Sequence, residues 1–72
     1  KSMGIVLKQL FSGTIDWPMD NTIIIVEDNI GDDEPIHIHV HNPKEGGFAF
    51  RLHFTYEEFK KFSEAILNGG KL

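Results

Sequence analysis

The chain has 72 residues, a formal net charge of −4 and no cysteine. Disulfides and thiolate metal sites are therefore excluded, and the length allows one small domain, residues 1–72. Apolar residues make up 40% of the chain, enough for a globular fold rather than disorder.

The lysines are scattered, with no basic patch of the kind a nucleic-acid binder carries. No apolar run approaches the ~20 residues of a membrane span. The N-terminus lacks a signal peptide's apolar segment. Met3 reads as the native start, with Lys1 and Ser2 added ahead of it. The expected setting is the cytoplasm, without membrane or nucleic-acid partners. A chain this short buries a modest share of its surface and commonly relies on a metal or a partner subunit when it lacks disulfides.

The first predicted element is a strand over Ile5–Phe11, extending toward Ile15, with Gly13 marking a bend or bulge. Trp17-Pro-Met-Asp-Asn21 is a turn: Pro18 presets φ, and Asp20-Asn21 favour turn conformations. Thr22–Glu27 is a strand by propensity, being almost entirely β-branched. Asp28–Glu34 is a polar connection with Gly31 supplying a positive φ. Pro35–His41 and Phe48–Phe54 alternate with period two and are joined by the Asn42–Gly47 hairpin loop.

A helix follows. Thr55-Tyr-Glu-Glu58 has the form of a capping box. Phe59, Phe62 and Ile66 then recur on one stripe. Asn68-Gly69-Gly70 ends the helix through a glycine able to turn left-handed. Short connections favour antiparallel neighbours. The expected fold is α+β: a four-stranded antiparallel meander with one C-terminal helix packed on one face (β-β-β-β-α). Its core would join Ile36, Ile38, Val40, Phe48, Phe50, Leu52 and Phe54 to Phe59, Phe62 and Ile66.

The run His37–His41, its hairpin, Arg51-Leu-His-Phe-Thr55 and Glu57-Glu-Phe59 resembles a pattern in small bacterial domains. The resemblance covers the second half of the chain and implies no particular activity.

The candidate chemistry lies in that half. A strand sends alternate side chains to opposite faces. His37, His39 and His41 therefore share one face, with Ile36, Ile38 and Val40 on the other. Centring the hairpin so that Asn42 faces Phe48 places His37 opposite His53 and His39 opposite Arg51. Opposed Cβ atoms are ~4.5–5.5 Å apart. His37, His39 and His53 could then hold zinc or another transition metal, with water in a fourth position. Arg51 disfavours a cation there. No carboxylate is evidently placed to orient the imidazoles. Arg51 could instead receive a carboxylate or phosphate through its guanidinium fork.

Ile23–Val26 is apolar on both faces, as in strands covered on both sides. With Ile23 and Ile25 turned to the helix, Ile24 and Val26 would join His37, His39 and His41 on an open face. An exposed apolar stripe of that kind marks an interface. The expected function is a small non-enzymatic interaction domain, a homodimer through this face, requiring no cofactor. The alternative is the histidine metal site, structural or hydrolytic.

Overall fold

The computed structural model describes residues 4–69. The assignments made for Met3 and for Gly70 fall outside them. The architecture is α+β. An antiparallel sheet runs in the order β1 (Val6–Ile15), β2 (Thr22–Ile30), β3 (Ile36–His41) and β4 (Ala49–Phe54), followed by helix α1 (Tyr56–Asn68). Every connection joins sequence neighbours, as short polar loops dictate.

The pairing assigns each side chain to a face, because residues directly opposite on antiparallel strands point the same way. On one face, Ile24 pairs with Val40 and Val26 with Ile38, continuing across β3 to Phe50 and Leu52. Phe11, paired with Val26, and Ile15, paired with Thr22, extend this face onto β1. The other face carries Ile23, Ile25 and Glu27, paired with His41, His39 and His37, and then Ala49, Arg51 and His53.

Two local features differ from expectation. The bulge lies at Leu10, where the register shifts between Gln9 and Phe11, rather than at Gly13. The Phe11 ring occupies the space a Cβ at Gly13 would need, so this glycine lets an aromatic cover the backbone. At the helix end, Gly69 has φ −59° and stays right-handed, its N–H donating to the Ile66 carbonyl. The helix therefore winds through Gly69 instead of turning left-handed there.

The turns are fastened by side chains. Asn42 and Thr22 are among the few buried residues. Asn42 Nδ2 donates to the Asp20 carbonyl at 2.9 Å and to Thr22 Oγ1 at 3.3 Å. Asn42 Oδ1 accepts from the Lys44 N–H at 2.9 Å. Thr22 Oγ1 donates to the Met19 carbonyl at 2.7 Å. One buried amide thus joins the β1–β2 turn to the β3–β4 hairpin. Gly47 is needed in that hairpin, since an added Cβ would collide with the Asn42 and Lys44 carbonyls.

The capping box forms as predicted. Thr55 Oγ1 accepts from the Glu58 N–H at 3.0 Å, and Glu58 Oε1 accepts from the Thr55 N–H at 2.9 Å. The helix reaches the sheet through Phe54, whose ring lies 5.3 Å from Phe62 and 5.9 Å from Phe59. Tyr56 Oη donates to Asp28 Oδ1 on β2 at 2.8 Å. Asp28, Ile36 and Phe54 form one cross-strand row. These contacts close over Ile36, among the described residues the one hydrophobic side chain with almost no exposure, at 3%.

The rest of the expected core does not close within the chain. No helix residue is buried. Phe50 is 51% exposed and Ile66 62%. Four strands laid side by side span only about 15 Å, yet the molecule measures 44 × 37 × 15 Å. The helix therefore extends past the β4 edge and covers only the Phe54 end of the sheet.

Two outcomes test this frame. Asn42→Ala leaves a carbonyl, a hydroxyl and an N–H without their partner and should cost roughly 1–3 kcal/mol. Thr55→Ala removes a cap and should cost about 1 kcal/mol. Urea unfolding orders the two; an Asn42→Ala loss no larger than that of Thr55→Ala would mean the turns are not held this way. The second outcome concerns Tyr56. Its hydrogen bond to Asp28, with desolvation and the carboxylate charge acting the same way, raises the hydroxyl above its ordinary 10.0. A folded pKa above the unfolded one makes the contribution complete below the unfolded value and lost as pH rises through the folded one. Asp28→Asn should lower the alkaline midpoint of the single tyrosine, read from phenolate absorbance. Equal midpoints in parent and variant would place Tyr56 away from Asp28.

Candidate functional site

Two surfaces merit attention, and they lie on opposite sides of the sheet. The first is the histidine face. The predicted β3–β4 register is the observed one: His37 pairs with His53 and His39 with Arg51. The His37 and His53 rings stack, with centroids 4.0 Å apart and planes 13° from parallel. His37 and His39 are 6.3 Å apart, centroid to centroid. The structure thus brings together the three histidines singled out by pattern. His41 stands at the hairpin end, opposite Ala49.

Carboxylates line this face as well, which the strand pattern of β3 and β4 did not reveal. Glu27 pairs with His37 across β2 and β3. Its Oε1 lies 2.8 Å from His39 Nε2. The two atoms touch without the alignment of an N–H···O bond, so His39 Nε2 remains without a hydrogen-bond partner. Asp32, from the β2–β3 connection, places Oδ2 3.8 Å from His37 Nε2. The signal for Glu27 was its period-two spacing from Ile23 and Ile25. Using it required the β2–β3 register, which the loop residues alone do not define.

Imidazole lone pairs lie in the ring plane. Nearly parallel rings with centroids 4.0 Å apart do not converge on one ion at the ~2.0–2.1 Å of a zinc–nitrogen bond. The buried Nε2 atoms of His37 and His39 face Asp32 and Glu27 instead. Among the described residues, no group of three or more histidine or carboxylate side chains stands in metal-ligating geometry. Arg51 is exposed and, among the described residues, pairs with no carboxylate.

The second surface is the apolar face. The expected interface set of Ile24, Val26, His37, His39 and His41 does not share one side. Ile24 and Val26 pair with Val40 and Ile38 and so stand opposite the histidines. Ile23 and Ile25, expected to point to the helix, lie on the histidine side. The physical reason is face parity: a register offset of one residue exchanges every side chain between faces. Ile24 and Val26 are instead continuous with Phe54, the residue the helix packs on.

Toward the turn end, this apolar face hollows into a groove of about 480 Å³. Ile15, Trp17 and Pro18 form one wall, Ile24 and Val40 the floor, and Phe48 and Phe50 the other wall. Trp17 is 78% exposed at the rim. The groove lies at the opposite end of β4 from Phe54, beyond the part of the sheet that α1 covers. No helix among the described residues is long and apolar enough to cross a membrane. Neither a family model, a curated protein nor a solved structure matches the chain.

Proposed function

We propose that this chain is a non-enzymatic self-association domain, assembling as a homodimer through its apolar sheet face. The observation that carries the proposal is the amount of surface left uncovered. A compact monomer of this mass exposes about 4,500 Å², whereas the chain exposes 5675 Å². The excess is about 1,100 Å² per chain. A stable interface buries about 800 Å² per partner, so the surplus is of the size a dimer needs.

Shape and chemistry point the same way. The radius of gyration is 14.4 Å, against about 11 Å for a compact chain of this length. Phe11, Ile15, Phe50 and Leu52 are all exposed on one side of the sheet. A contiguous apolar patch of this kind marks an association site. A second copy is the natural occupant, because homo-oligomers with twofold symmetry are the commonest assemblies and a self-complementary patch closes upon pairing.

A second proposal keeps the histidine face as a metal site. Its support is the proximity of His37 to Asp32 and of His39 to Glu27, with His53 stacked on His37. Binding would require the stacked rings to separate and turn. The Glu27 and Asp32 charges would offset Arg51.

Sedimentation equilibrium at micromolar concentration should give a dimer, and a clean monomer of 8.2 kDa would overturn the first proposal. Ile24→Lys or Val26→Lys should weaken association at least tenfold, while His37→Gln should leave it nearly unchanged. The metal proposal is tested by zinc titration of untagged protein. A saturable single site lost on His37→Ala, His39→Ala or His53→Ala, and retained on His41→Ala, is the expected result. The absence of saturation, or equal loss in all four variants, would exclude it.

A further inference from the structure

We infer that the dimer forms by helix exchange: the C-terminal half of α1 from each copy fills the apolar groove on the sheet of the other. This deepens the self-association proposed above and rests on it.

The helix stripe divides into two halves with different fates. Phe59 and Phe62, in the first half, sit against Phe54 of their own sheet. Ile66 and Leu67, one turn further on, touch nothing comparable and are 62% and 80% exposed. They rank among the most exposed large apolar side chains described. The helix is well capped at its start, so its axis is fixed by the capping box and the Phe54 stack. That axis carries Ile66 and Leu67 past the sheet edge.

The groove shows the complementary deficit. Its walls are apolar throughout, from Ile15 and Trp17 to Phe48 and Phe50. It lies four residues along β4 from Phe54, about 13 Å at strand rise. The helix of the same chain starts at the far end of the sheet and leaves it. A volume of about 480 Å³ accommodates branched aliphatic side chains such as Ile66 and Leu67.

Symmetry makes these two deficits mutually sufficient. Each copy offers one unfilled groove and one unpartnered helix end. In a twofold assembly, contact of helix with groove is repeated reciprocally, so both are satisfied with none left over. Stacking two apolar faces directly would cover the grooves but leave Leu67 of both copies in water. Exchange covers both.

The absence of cysteine allows a clean test by site-directed cross-linking. Asp16 flanks the groove beside Trp17, and Asn68 flanks the stripe beside Leu67. Both are exposed, and neither lines the groove. Asp16→Cys and Asn68→Cys variants are mixed, equilibrated and treated with a short bis-maleimide. Exchange predicts cross-linking between the two variants at least tenfold above that of Asp16→Cys alone. In parallel, the double variant Ile66→Glu/Leu67→Glu, altered only at exposed positions, should weaken dimerisation at least a hundredfold while circular dichroism stays unchanged. A dimer that survives Ile66→Glu/Leu67→Glu, or that cross-links only Asp16→Cys to itself, overturns helix exchange and leaves self-association through the sheet face standing. A parent chain that sediments as a monomer overturns both.

Discussion

Antiparallel pairing ties the direction of every side chain in this sheet to that of its cross-strand neighbour, and most of the molecule's properties descend from that tie. Once Val40 faces Phe50 and Ile24, His39 and His41 must point the other way. A single-residue slip would mix imidazoles into the apolar side and aliphatics into the histidine side. The register is guarded at the turn end by the buried Asn42–Thr22 link and at the other end by the Asp28–Ile36–Phe54 row under Tyr56. Between these two clasps the sheet presents one apolar and one largely polar face.

A single sheet has no interior of its own. Stable domains bury a sheet against a second layer, and here the second layer is short. The helix of 13 residues contributes Phe59 and Phe62 to one corner and then departs. The consequence is a molecule only 15 Å thick along its shortest axis, with Ile36 the sole fully sheltered aliphatic among the described residues. Conformational entropy opposes folding by an amount of order 1–2 kcal/mol per residue. So little internal burial offsets this poorly.

Much of this was legible from residue order, and the reasons for the rest are specific. Alternation in Ile36–His41 and Ala49–Phe54 encoded both strands, and the hairpin between them was short enough to define register. That is why the His37–His53 and His39–Arg51 pairs could be read directly. The capping box at Thr55 was equally local. The partition of Ile23–Val26 was not, because a strand apolar on both sides carries no parity signal of its own. It is set by the Gly31–Pro35 connection, closed by the N–H of Asn29, near the end of β2, donating to the Pro35 carbonyl at 2.7 Å. From that missing parity came the wrong face for Ile24 and Val26 and the unseen Glu27 beside His39. The helix direction was also illegible: an apolar stripe states that α1 needs a surface to pack on, not that only Phe59 and Phe62 reach Phe54.

The two faces differ in what covering them would cost. The histidine side holds Arg51, His53 and the Glu27–His39 and Asp32–His37 contacts. Burying such groups demands new partners for each, since an unsatisfied polar group loses its water without compensation. The opposite side offers Ile24, Val26, Ile38, Val40, Phe50 and Leu52, whose transfer from water gains roughly 25 cal/mol per Å² with no polar debt. A partner approaching either face therefore meets unequal terms. The difference scales with area, so the larger the contact, the more it favours the aliphatic side. On the histidine side the Nε2 atoms of His37 and His39 are already buried against Asp32 and Glu27, so covering that side would add little apolar area to offset the polar groups it encloses.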